Sequence, residues 1–256
     1  MGGKRPGVTL YIPTLNEYEA MKVIMPQIRK AWYDQLLIVD GGSTDGTLEY
    51  CKEHGYPVVM QSQPGKGLPN ATLDAFRLFD QDIFIAFSPD GNSIAELIPP
   101  LVDKMMEGYD MVIVSRYLDG AKSEDDDFLT AIGNKTYTWL MNTLFGSKLT
   151  DSLVIYRAFT REAMLKMELN VQTDENWVRK HWGLSTTWEI ASSIRSAKLG
   201  LKVGEIPGDE PIRIGGVRKM SIIFNGIAGL FQIFYEYFMG MRVFKRRPPE
   251  GLSVSR

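Results

Sequence analysis

Short, wholly apolar runs alternate with longer stretches of mixed polarity through the first half of the chain. Val8–Ile12, Leu36–Val39, Val58–Met60, Ile83–Phe87 and Met111–Val114 are the apolar runs, and their length and β-branched content predict strands. Glu17–Lys30, a segment from Thr44 or Asp45 to about His54, Leu68–Phe79 and a stretch ending at Glu107 predict the intervening helices, with Thr44 or Asp45 as a helix cap. Strands that are apolar on both faces and alternate with helices imply a mainly parallel sheet covered on both sides. The second half is less regular. Asp119–Asp127 is an acidic loop, Phe128–Phe145 and Trp188–Leu199 predict helices, and Val154–Phe159 and Lys202–Ile206 predict strands. Asn170–Thr186 is a long connection that carries Trp177 and Trp182.

Apolar density peaks once, at Ser221–Met241. About 20 apolar residues suffice to cross a bilayer, but Asn225, Gly229, Gln232 and Glu236 draw a polar stripe at helical spacing along this segment. Phe224, Ile227, Phe231, Phe234 and Phe238 fill the rest of the surface. Arg218 and Lys219 precede it, and Arg242, Lys245, Arg246 and Arg247 follow it. An apolar face with basic flanks predicts a helix lying in a membrane interface; the competing reading is a helix packed on protein. A spanning helix would bury Glu236 in lipid, which is costly.

A chain of 256 residues holds one large α/β domain and has no need of staples. Its single cysteine, Cys51, rules out an internal disulfide and fits a reducing compartment. A net charge of −2 leaves no overall basic field for nucleic acid. The N-terminus has no signal-peptide pattern, and Pro6 stands where a myristoylation signal has Ser or Thr. His54 and His181 are the only histidines, which excludes a multi-histidine metal site and argues against a Ser-His-Asp arrangement. Neither a Walker lysine motif nor a Gly-x-Gly-x-x-Gly fingerprint follows the first strand.

Ligands of open α/β sheets bind at the carboxyl ends of the strands, and the polar, glycine-rich segments fall there: Pro13–Glu17, Asp40–Asp45, Gly65–Gly67 and Asp90–Asn92. Three of these motifs, Ile12-Pro13-Thr14-Leu15-Asn16-Glu17, Val39-Asp40-Gly41-Gly42-Ser43-Thr44-Asp45-Gly46-Thr47 and Ser88-Pro89-Asp90-Gly91-Asn92, together resemble family 2 glycosyltransferases. Within that family they resemble the dolichol- or polyprenol-phosphate sugar transferases. Gly65-Lys66-Gly67, Ser115-Arg116-Tyr117 and Thr150-Asp151-Ser152 have counterparts there too, so the resemblance covers roughly residues 7–220. It implies an α/β glycosyltransferase A fold, with a mainly parallel sheet flanked by helices and a C-terminal amphipathic helix. Residues 1–220 would form the catalytic domain, and 221–256 a membrane-interface helix and basic tail. The Gln-x-x-Arg-Trp motif of processive synthases is missing, so transfer of a single sugar is expected.

The resemblance also implies roles. Asp40 would meet the nucleotide base and Glu17 would lie near the nucleoside, with Pro13 and Leu15 beside them; both carboxylates are equally suited to capping turns. Asp90 would hold Mg²⁺ or Mn²⁺ against the donor diphosphate. Asn92 and Ile94 stand where relatives have aspartate and often glutamine, so one ligand charge is lost, and Pro89–Asn92 also reads as an Asx turn. Lys66 would contact phosphate or base, or be a solvated loop lysine. Arg116 would touch the donor or pair with a carboxylate. Arg213, Arg218 and Lys219 resemble a mobile loop that closes over the diphosphate. Asp151 would act on the acceptor side, as general base toward a hydroxyl or, with a phosphate acceptor, as an orienting group balancing Arg157. Glu189 is a second acceptor-side candidate, and a buried ion pair is the alternative for both. The expected activity is inverting transfer of one hexose from a UDP- or GDP-sugar to a polyprenyl phosphate, on the cytoplasmic face of a membrane. The alternatives are a hydroxyl of a lipid-linked saccharide as acceptor, and a nucleotide-sugar-binding module with little turnover. Oligomeric state is not legible.

Overall fold

A computed structural model of the chain describes residues 5–62, 67–170, 187–215 and 222–238. Its elements in chain order are β1 (Val8–Thr14), α1 (Tyr18–Ile24), β2 (Gln35–Asp40), α2 (Thr47–Glu53), β3 (Val58–Met60), α3 (Leu68–Leu78), β4 (Ile83–Ala86), α4 (Ile98–Met106) and β5 (Met111–Ser115). The later elements are α5 (Phe128–Phe145), β6 (Arg157–Thr160), α6 (Arg161–Lys166), α7 (Trp188–Lys198), β7 (Val203–Pro207) and α8 (Ile222–Phe238). The expected Asn170–Thr186 connection lies, apart from Asn170, outside the described residues.

One seven-stranded sheet runs in the order β3-β2-β1-β4-β6-β5-β7. β1 pairs in parallel with β2 and β4, β2 with β3, and β5 with β7. β6 is antiparallel to both neighbours; it begins at Arg157, three residues later than the apolar pattern suggests. Apolar cores cover both faces, one around Ile12, Ile38, Ile85 and Leu101, the other around Tyr11, Val39, Phe84 and Phe159. Burial on both sides is what makes the strands apolar throughout.

Helix ends depart from expectation where local chemistry intervenes. α1 stops at Ile24, and a short 3-10 turn containing Pro26 follows it, because proline removes a donor and clashes with the preceding turn. α2 is not capped by Thr44 or Asp45. Gly46, at φ 103°, is its N-cap and makes no side-chain cap bond. α5 runs over the span predicted for it: Asp127 accepts from the Thr130 N–H at its start, and Gly146, at φ 73°, ends it.

α8 lies over α5 and α7, and its polar stripe faces protein. Gln232 exchanges two hydrogen bonds with the backbone of Thr187, at 2.8 and 2.7 Å. Buried Glu236 pairs with Arg195 at 2.9 Å and Lys198 at 3.2 Å. A side chain at Gly229 would meet Tyr137 at 2.9 Å and Ile190 at 3.0 Å, so glycine lets the helices approach closely. The side chain of Asn225 lies outside the described residues. On the opposite side Ile227, Leu230, Phe234, Tyr237 and Phe238 are exposed, as are Phe128, Ile132 and Trp139 of α5. Among the described residues no helix is long and apolar enough to cross a membrane.

Candidate active site

The turns after β1 and β2 are stitched together by short side chains. The Asn16 N–H donates to Ser43 Oγ at 2.8 Å, and Asn16 Oδ1 accepts from the Thr44 N–H at 2.8 Å. Asn16 sits at φ 54°, a conformation asparagine tolerates better than most side chains. Asp45 accepts from the N–H of Tyr18 and from Thr47. Burial pushes its carboxyl up, but these hydrogen bonds outweigh burial and hold it below the usual range. Glu17 is half-buried at the start of α1, and its N–H donates to Thr47 Oγ1 at 3.0 Å. Pro13 lies opposite Val39 one residue before the end of β1, and Leu15 is half-buried just beyond the strand.

Asp40 is fully buried and closes its own turn. Oδ1 accepts from the N–H groups of Gly42 and Ser43, both at 2.8 Å, while Oδ2 accepts from Thr14 Oγ1 at 2.9 Å and Ser43 Oγ at 2.6 Å. Both oxygens are thus engaged twice, the turn-capping role that the sequence also allowed for this carboxylate.

At the end of β4, Asp90 Oδ2 meets Arg213 Nη1 at 3.0 Å, and the Asp90 carbonyl accepts from the Ile214 N–H at 2.8 Å. Gly91, at φ 94°, is pressed by that segment: a Cβ there would lie 2.7 Å from Ile214 Cγ1. The Asn92 Nδ2 donates to Asp125 Oδ2 at 3.0 Å, while Asn92 Oδ1 is buried with no partner. A buried amide oxygen left over beside a carboxylate is a donor set suited to a hard divalent cation. Among the described residues no three His, Cys, Asp or Glu side chains gather as a metal cage. The protein itself would therefore contribute two oxygens, from Asp90 and Asn92. A cavity of about 150 Å³ opens here; Asp90, Asn92, Arg116, Asp209, Glu210 and Arg213 are among its lining residues.

Arg116, just past β5, is clamped. Its Nε and Nη2 donate to the two oxygens of Asp151 at 2.6 and 3.0 Å, and Nη1 reaches Glu210 at 3.1 Å. Burial alone would lower its pKa, but these carboxylates raise it well above its ordinary value, so it stays charged. Asp126 lies 3.9 Å from Arg116 and accepts a short hydrogen bond from Tyr117. The Asp151 carboxylate is therefore half of a buried ion pair with Arg116, the alternative given for it above, while its charge also acts on Arg157 at longer range. Arg157 is fully buried among neutral acceptors: the carbonyls of Ser152, Val154 and Glu189 and the hydroxyls of Ser192 and Ser193. Burial lowers its pKa to about 10. Glu189, in the first turn of α7, is buried with Oε2 unpartnered, and burial raises its pKa. Lys66 and Lys219 lie outside the described residues, as does Arg218.

The family 2 glycosyl transferase model matches residues 9–170, which contain all three strand-end motifs. The chain belongs to glycosyl transferase family 2. It is 31% identical over 226 residues to glycosyltransferase AglJ of Haloferax volcanii, covering 82% of this chain and 69% of that one. It is 28% identical to polyprenol monophosphomannose synthase of Mycolicibacterium smegmatis, covering 82% and 79%. It is 32% identical to dolichol-phosphate mannosyltransferase of Pyrococcus furiosus, over 50% of this chain and 38% of that one. Glucosyl-3-phosphoglycerate synthase from Mycobacterium tuberculosis, solved with Mn²⁺, UDP and phosphoglyceric acid, superposes with a TM-score of 0.64 at 18% identity, over 91% of this chain and 78% of that one. The fold is thus the glycosyltransferase A fold, and this family 2 enzyme resembles the polyprenol-phosphate sugar transferases.

Sequence reasoning missed four side chains of the site. Glu210 bridges Arg116, Ser123 and, at 3.5 Å, Asn92. Asp125 and Asp126 come from a loop that read only as acidic. Gln61 lies beyond β3, buried at 3% exposure, with neither amide atom bonded. For Asp125 and Asp126 the signal was the density of acid in a loop following Arg116; Glu210 and Gln61 carried none.

Proposed function

We propose that this glycosyltransferase moves one hexose, with inversion and without processivity, from a UDP- or GDP-sugar to a polyprenyl phosphate at the cytoplasmic face of a membrane. The observation that carries the reading is the cavity beside Asp90. Three of its lining carboxylates (Asp90, Asp209 and Glu210) outnumber the two guanidiniums of Arg116 and Arg213. A donor diphosphate entering alone would meet net repulsion, so it needs a cation alongside it. Asp90 and Asn92 would hold Mg²⁺ or Mn²⁺, and the cation would neutralise charge on the leaving diphosphate. Arg213, which holds the Asp90 carboxylate, would then be free to pair with the donor's phosphates.

The acceptor is inferred from Asp151. A hydroxyl acceptor needs a base with a free lone pair, and both Asp151 oxygens are held by Arg116. Glu189 is buried away from the lining of the cavity. A phosphate acceptor is already anionic near neutral pH and needs no base. The exposed apolar faces of α5 and α8, followed in sequence by Arg242, Lys245, Arg246 and Arg247, support work at an anionic membrane surface.

The test is a panel of UDP- and GDP-sugars offered with a polyprenyl phosphate and Mn²⁺, read by product mass. One hexose added per lipid phosphate is expected from one donor. Failure of every donor with the lipid phosphate, together with transfer to a lipid-linked saccharide, would overturn the assignment of acceptor.

A further inference from the structure

We infer that Gln61 is the side chain that reads the nucleobase of the donor, pairing with the edge that uracil and guanine share, a ring carbonyl next to a ring N–H. The inference rests on the nucleotide-sugar reading above and names the residue that would recognise the base. Gln61 follows β3, and its N–H donates to the Asp40 carbonyl at 2.9 Å, which ties it directly to the turn at the end of β2. Its side chain is 3% exposed, and neither Nε2 nor Oε1 has a partner. A buried amide with both its donor and its acceptor unspent is rare in a native fold and calls for an explanation. The surroundings supply one. A Cβ built on Gly41 would lie 3.6 Å from Gln61 Nε2, 3.5 Å from Leu15 Cδ1 and 3.5 Å from the Thr14 carbonyl, so the amide lies against the side-chain-free face of the glycine turn, beside an apolar side chain.

The amide sits where the ends of β1, β2 and β3 meet, and there the Asp40 oxygens are already engaged by Thr14, Gly42 and Ser43, whereas Gln61 Nε2 and Oε1 are not. A primary amide meets a carbonyl–N–H edge with two parallel hydrogen bonds, Nε2 donating to the ring carbonyl and Oε1 accepting from the ring N–H. Leu15 offers the flat face an apolar wall. A site built to bond such an edge rejects analogues that cannot return both bonds, because its own buried groups are then left unpaired.

The two roles open to Gln61 predict opposite effects on stability. A structural glutamine would lose stability when its amide is removed. One that waits for a ligand gains stability, because an apolar group of the same shape no longer buries an unsatisfied amide. Binding of UDP and GDP, each with Mn²⁺, is measured by calorimetry for the wild type and Gln61→Met, and Tm is measured without nucleotide. The wild type should bind one of the two, Gln61→Met should bind it about 10- to 100-fold more weakly, and the variant's Tm should rise by about 2–4 °C. A probe that needs no variant is the same nucleotide methylated at the ring nitrogen, N3 of uracil or N1 of guanine. The wild type should lose a similar factor against it, and Gln61→Met should not distinguish it from the parent. Unchanged affinity in Gln61→Met, a fall in its Tm, or wild-type indifference to the methyl group would overturn the role of Gln61 while leaving the nucleotide-sugar reading intact. Failure of the wild type to bind either nucleotide would overturn both.

Discussion

The two halves of the site hold their carboxylates in different ways. On the proposed donor side, Asp40 and Asp45 are held by N–H groups and hydroxyls of the turns they belong to or touch, with no cation in contact among the described residues. On the proposed acceptor side, Asp151 and Glu210 are held by one guanidinium, that of Arg116, from positions 35 and 94 residues away in sequence. Beneath α8 the same style recurs, with Glu236 held by Arg195 and Lys198. Turn-held carboxylates fix backbone shape and leave the surrounding space neutral. Arginine-held carboxylates tie together segments far apart in sequence and leave the guanidinium largely neutralised. Asp90 sits between the two regimes: its turn is local, but its counter-ion, Arg213, arrives from the segment after β7.

The sharpest way to break this comparison is to remove the shared cation. Arg116→Ala strands Asp151, which is fully buried, beside Glu210, and the loss of one partner from a buried pair costs about 3–5 kcal/mol. Chemical denaturation should show that loss, and Asp151→Asn, which leaves Arg116 to Glu210, should show clearly less. Equal losses would mean that the cluster is not centred on Arg116.

A smaller effect is expected at the membrane face. Phe234 and Phe238 are exposed on α8 at 44% and 72%, whereas Phe231 is half-buried. Replacing the exposed pair with serine should weaken binding to anionic liposomes by about 2–4 kcal/mol, the value of two partly exposed aromatic side chains, with nucleotide binding unchanged. Wild-type binding should weaken with salt without vanishing, since the apolar part is not screened. Carbonate-resistant integration would point to a spanning segment instead of an interfacial helix, and no binding at all would remove the membrane from the account.

The smallest effect concerns Glu189, whose pKa is raised by burial. A carboxylate whose folded value lies above its unfolded one destabilises the fold when it ionises. That penalty is absent below the ordinary carboxylate range and complete above the folded value. Glu189→Gln should therefore stabilise the protein by about 1–2 kcal/mol at pH 8 and by little at pH 4. A gain independent of pH, or a loss at pH 8, would mean that the carboxylate's charge is used.

What the sequence made legible follows the same division. The sheet and the span of α5 could be read because apolar runs, caps and glycines act over a few neighbouring residues, and the glycosyltransferase A fold came with the family that the strand-end motifs resemble. The Asp40 turn was half-read. Its position was evident, but the engagement of both oxygens was not, because Thr14 comes from another strand. The antiparallel direction of β6 has no local signature. Asp151 was singled out, with a buried ion pair among its readings, but nothing beside it in sequence points to its partner Arg116, 35 residues away. Glu210 and Gln61 went unnoticed because nothing beside them in sequence marks them; their roles come from residues brought close only by folding.

The claim on which the rest depends is that the donor side works through a cation at Asp90. It is tested most directly by single-turnover transfer to polyprenyl phosphate in EDTA and then with added Mn²⁺, for the wild type and Asp90→Ala at matched folded fraction. The account predicts no transfer in EDTA, recovery with Mn²⁺ in the wild type, and a deficit of at least about 10³-fold in Asp90→Ala that added metal does not repair. Full-rate transfer in EDTA, or recovery of Asp90→Ala with Mn²⁺, would contradict it.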